Sequence, residues 1–73
     1  MTYVIKLKCT SIPESTQIVA TIREYDDIYE VFRQACRVYL GRKGTRDYAR
    51  YVAHAGDATL WVEPEHARAA DPR

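Results

Sequence analysis

The sequence is poor in the groups from which catalytic and metal sites are built. Its two cysteines, Cys9 and Cys36, stand in no CxxC spacing, and the only other soft ligands are His54 and His66. That set is too sparse and scattered for a zinc site, so both cysteines are expected as buried, reduced thiols, and no metal or cofactor is expected. Neither histidine forms a pattern with a serine, cysteine or carboxylate that would mark a nucleophile or a general acid–base pair, which points away from an enzyme. Glycine is scarce, with three residues. Gly41-Arg42-Lys43-Gly44 trails a helical pattern instead of opening one, so it is not a phosphate-binding loop. No apolar run is long enough to span a bilayer, and Met1 leads straight into a strand pattern without a signal segment, so a cytoplasmic protein is expected. An excess of one charge is missing too: Lys+Arg 11 against Asp+Glu 10 gives a net charge of +1. Whole-molecule electrostatics therefore do not drive non-specific nucleic-acid or membrane binding, and any basic site has to be local.

What is present reads as one small α+β domain. Its 73 residues, 47% hydrophobic and 29% charged, leave room for a single core. Thr2 to Thr10 alternates, with Tyr3, Ile5, Leu7 and Cys9 on one side and Val4, Lys6 and Lys8 on the other, the period-2 pattern of a half-buried strand. After the turn residues around Pro13, Gln17 to Tyr25 alternates again and places Ile18, Ala20 and Ile22 toward the core. Asp27, followed three residues later by Glu30, caps a helix whose stripe is Ile28, Val31, Phe32, Ala35, Val38 and Tyr39. Gly41 is placed to end it. Asp26-Asp27 is explained by this capping better than by a metal or acid–base pair.

Tyr48 to Ala55 supports two readings. As a helix it is capped by Thr45 and stops at Gly56, which gives a ββααβ order with residues 45–55 helical. As a strand it forms a hairpin with Ala58 to Glu63 through a type II′ turn at Gly56-Asp57, and that hairpin satisfies the backbone of the following run. The strand reading is favoured, giving ββαββ: a four-stranded mixed sheet, antiparallel plus parallel, with the helix on one face. Residues 1–64 form the domain. Residues 65–73 contain no large apolar side chain and are expected as a disordered tail.

Several stretches resemble ubiquitin and its relatives. Asp27-Ile28-Tyr29-Glu30-Val31 is similar to the acid-x-hydrophobic-x-x-Val start of the ubiquitin helix. Arg50-Tyr51-Val52-Ala53-His54-Ala55-Gly56 resembles its Arg-Leu-Ile-Phe-Ala-Gly strand and turn, and Ala58-Thr59-Leu60-Trp61-Val62 its closing Ser-Thr-Leu-His-Leu strand. The resemblance implies a β-grasp fold and non-covalent binding through the open sheet face, where Val52 and Trp61 match the family's partner-binding positions. One extra residue separates Arg50 from the turn, the long loop before the last strand is missing, and the chain ends in Ala70-Asp71-Pro72-Arg73 in place of Gly-Gly. Conjugation is therefore not implied.

The hairpin register sorts the side chains. Pairing Ala55 with Ala58, His54 with Thr59, Ala53 with Leu60, Val52 with Trp61, Tyr51 with Val62 and Arg50 with Glu63 sends Tyr51, Ala53, Leu60 and Val62 to the core. Arg50, Val52, His54, Thr59, Trp61 and Glu63 then face away from the helix. The expected function is a non-catalytic protein-binding module, whether adaptor, accessory subunit or stoichiometric inhibitor of the phage-encoded kind. Its partner site is Val52 and Trp61 with Lys6, Lys8, Arg50 and His54 around them. The alternative is nucleic-acid binding through Lys6, Lys8, Arg50 and Trp61. A second candidate surface is the basic strip of Tyr29, Arg33, Arg37, Leu40, Arg42, Lys43 and Arg46, suited to an acidic protein.

Overall fold

A computed structural model describes residues 2–65. Two long strands, β1 (Tyr3–Cys9) and β2 (Ile12–Ile22), precede a helix, α1 (Ile28–Leu40), and three further strands follow: β3 (Thr45–Asp47), β4 (Val52–Ala55) and β5 (Ala58–Pro64). They form one five-stranded sheet in the order β2-β1-β5-β4-β3, and every neighbouring pair is antiparallel. The expected four-stranded mixed sheet is therefore corrected to a five-stranded antiparallel one, and the ββααβ alternative with residues 45–55 helical does not occur. The reason is parity. With four strands, the last would run parallel to β1. The extra short strand β3 adds one reversal, so β5 meets β1 antiparallel, in register from Tyr3 opposite Pro64 to Cys9 opposite Ala58. The ladder continues beyond it, because the Glu65 N–H donates to the Thr2 carbonyl at 3.0 Å. The tail expected from residue 65 thus begins with a residue tied to the sheet, and 66–73 lie outside the described residues.

The helix starts where its cap requires. The Asp27 carboxylate accepts from the N–H groups of Tyr29 and Glu30 at 3.0 and 3.4 Å, satisfying donors that have no partner within the helix. It ends at Gly41, whose φ of +66° a side chain would strain. The buried stripe is Phe32, Ala35, Cys36 and Leu40, with Ile28 and Val31 packed beside it. Val38 and Tyr39, expected in this stripe, are 71% and 45% exposed. Leu40, expected on the outer surface, is buried. Phe32 explains the rotation: fully buried, it meets the rings of Tyr48 and Tyr51 edge-on at centroid distances of 6.0 and 5.6 Å, and that anchor carries positions 36 and 40 under with it.

The core side of the sheet supplies Ile5, Ile22, Ala53 and Leu60, with Tyr3, Leu7, Tyr51 and Val62 packed against them. Ile18 departs from expectation. Ile5 pairs with Ala20 but Lys6 pairs with Ile18, so Val19 is an extra residue. A bulge of this kind reverses the alternation beyond it, and Ile18 emerges 58% exposed on the face opposite the helix. Cys36 is buried and Cys9 partly so, and both are free. Burial raises the Cys36 thiol pKa above its ordinary value.

Candidate functional site: the open sheet face

The site is built on the β4–β5 hairpin. Val52 pairs with Trp61, Ala53 with Leu60, His54 with Thr59 and Ala55 with Ala58, the register expected from the sequence. Gly56 has φ +62°, while Asp57 is not among the residues with positive φ. Type II′ needs positive φ at its first central position alone, whereas type I′ needs it at both. The turn is clasped to its neighbour, since the Asp57 carbonyl accepts from the Thr10 N–H at 2.7 Å and from the Thr10 hydroxyl at 2.8 Å. The Asp57 carboxylate accepts from Ser11 at 2.8 Å.

Combining the registers produces rows across the face turned away from the helix. Ile18 lies opposite Lys6, Lys6 opposite Trp61, Trp61 opposite Val52, and Val52 opposite Asp47. This row crosses all five strands. On one side runs Thr21–Val4–Glu63, in which Val4 is only 2% exposed. On the other runs Lys8–Thr59–His54–Thr45.

Glu63 holds the centre together. One carboxylate oxygen lies 2.6 Å from Lys6 Nζ, and the other accepts from the Trp61 indole N–H at 2.9 Å. Trp61 and Glu63 are two apart on one strand and so share a face. The Lys6 contact first, then the indole donor, holds the Glu63 carboxyl below the usual carboxylate range. His54 Nδ1 lies 3.1 Å from Thr59 Oγ1. The result is a partly buried aromatic ring and a partly buried valine at the middle of a face whose central charges neutralise each other.

Of the expected partner-binding residues, the structure brings Val52, Trp61, Lys6, Lys8 and His54 together on this face and leaves out Arg50. The ladder closes at Tyr51, whose φ is +55°: its carbonyl still accepts from the Val62 N–H at 3.2 Å, but Arg50 lies in the turn before it. The Asp47 carboxylate accepts from Ala49 and Arg50 N–H groups, both at 3.1 Å, closing a turn over residues 48–51. The Arg50 side chain is 85% exposed and 3.9 Å from Asp47, so the expected Arg50–Glu63 pair does not form. Sequence reasoning missed Ile18, hidden by the bulge, and the clamp role of Glu63, for which the two-residue spacing from Trp61 was an available signal.

The second candidate surface divides. Arg46 is structural: its guanidinium donates to the carbonyls of Lys43 at 2.9 Å, Cys36 at 3.5 Å and Gly41, closing the helix exit. Arg33 is paired with Glu30 at 2.7 Å, a contact that lowers the Glu30 carboxyl pKa and raises that of Arg33. The Tyr29 ring packs at a tilt of 57° against Tyr48, with centroids 5.1 Å apart. Arg37 reaches Gln34 at 3.5 Å, and Arg42 and Lys43 are exposed.

Among the described residues, no group of three or more His, Cys, Asp or Glu is placed to hold a metal ion, and no helix is long and apolar enough to cross a membrane. The chain matches no family model, no curated protein and no solved structure.

Proposed function

We propose that this protein is a cytoplasmic, non-catalytic protein-binding module that captures its partner on the open sheet face around Trp61 and Val52. The observation that carries the reading is the row Ile18–Lys6–Trp61–Val52, aligned by direct cross-strand pairing on a face that no described helix covers. A partly buried tryptophan beside a valine, ringed by polar groups, has the composition of an interface hot spot. The resemblance to ubiquitin-like domains supports the same use of the open face, although β1 and β5 run antiparallel here. Adaptor, accessory subunit and stoichiometric inhibitor all fit such a module.

A protein partner is favoured over nucleic acid by the charges. Of the basic residues that nucleic-acid binding would use, Lys6 is neutralised by Glu63 and Arg50 lies in the 48–51 turn, which leaves Lys8 beside the Trp61 row without an ion pair among the described residues. The test is capture from the native cell with the wild type, Trp61→Ala and Val52→Ala, with the fold checked by circular dichroism. Each substitution is expected to weaken retention of the partner by about 2 kcal/mol. Undiminished retention by folded variants would sink the assignment, as would retention of nucleic acid that falls steeply with added salt.

A further inference from the structure

We infer that the open face is occupied by a second copy of this chain, forming a two-fold dimer in which the two sheets pack face to face with their helices outside. The inference rests on the reading of this face as a protein-binding surface and names its partner. Three observations point to a copy of the same chain.

The first is the small core. Among the described residues nine apolar side chains are buried, both cysteines are free, and no metal-holding cluster is present. Chains of this size generally need a staple, and association with another copy supplies one. The second is shape. The Cα envelope measures 39 × 29 × 18 Å, a thin slab of one helix layer on one sheet layer, whose broad sheet side no described helix covers.

The third is charge. Lys6 and Glu63 neutralise each other within one copy, so the centre of the face can be covered without burying a lone charge. Lys8, without an ion pair among the described residues, lies on one side of the Trp61 row and Glu63 on the other. A two-fold axis along that row exchanges the sides, bringing each Lys8 toward the other copy's Glu63 while Trp61 and Val52 of both copies meet across the axis. Such an isologous contact closes on itself and stops at two subunits.

Sedimentation velocity of the full chain over about 1 μM to 1 mM tests this. The mass is expected to rise with concentration from 8.4 kDa toward twice that value, with Trp61 emission shifting to shorter wavelength as its ring leaves water. Val52→Glu and Trp61→Glu are expected to raise the dimer dissociation constant by about thirtyfold or more. Lys8→Glu raises it severalfold, whereas Tyr39→Glu on the exposed side of α1 leaves it unchanged. Val52→Glu alone decides if Trp61→Glu fails to fold. A wild type that stays monomeric throughout overturns the second copy while leaving the face free for another protein. A dimer indifferent to Val52→Glu in a folded chain overturns the second copy on this face, and the capture experiment then decides the reading of the face itself.

Discussion

The two hairpins flanking the central β1–β5 pair obey different constraints. In β4–β5, a glycine turn joins strands whose paired residues run without interruption from Ala55–Ala58 to Val52–Trp61, so the turn dictates which face every side chain takes. In β1–β2, eleven residues of β2 lie along seven of β1, and the surplus is absorbed by register shifts beside Lys6 and between Leu7 and Cys9. Alternation predicts burial only as far as the first of these shifts. Leu60 and Ile18 make the contrast concrete: alternation alone sends both inward, yet one is 0% and the other 58% exposed.

That contrast can be broken at several points. Leu60→Ala is expected to have the largest effect, about 2–5 kcal/mol lost in chemical denaturation, because it opens a cavity beneath α1. A loss below about 1 kcal/mol would mean that β5 does not carry the core. Gly56→Ala comes next at about 1–2 kcal/mol, since its space is open and only the positive φ resists the methyl group. An unchanged midpoint would show that the turn does not set the register.

The Glu63 clamp gives a smaller, pH-dependent effect. Its carboxyl pKa is depressed in the folded chain, so its contribution is complete above the unfolded-state value and is lost as pH falls through the depressed folded one. Emission from Trp61, the only tryptophan, should titrate with a midpoint below that of an ordinary glutamate and lose this inflection in Glu63→Gln. A midpoint at the ordinary value, or one surviving in Glu63→Gln, would remove Glu63 from the clamp. Ile18→Thr should change monomer stability least, within about 0.5 kcal/mol; a core-sized loss would mean that the bulge does not turn it outward.

Legibility followed how local each cause is. Asp27, Gly41 and Gly56 act on backbone groups within a few residues of themselves, and the helix cap, helix end and hairpin were readable from them. Strand β3 was not readable, because Thr45-Arg46-Asp47 looks like polar loop. It pairs with β4 where Gly44 lets two backbones approach so closely that an added Cβ would fall 1.8 Å from the His54 carbonyl oxygen. That approach depends on a strand eight or more residues away, and no local pattern announces it. Arg50 was misplaced for a similar reason: Asp47 captures the next turn, so β4 starts at Val52, two residues after Arg50.

The bulge at Val19 has a consequence beyond Ile18. β2 is the long outer strand of the sheet, and a straight, evenly spaced border of that length is a template on which further strands add without limit, the route to insoluble fibrils. Val19 interrupts that spacing, and Pro13 removes an N–H from the same strand. Sideways growth is thereby discouraged, so the molecule can present the Ile18–Lys6–Trp61–Val52 row on its broad face while remaining guarded at its border.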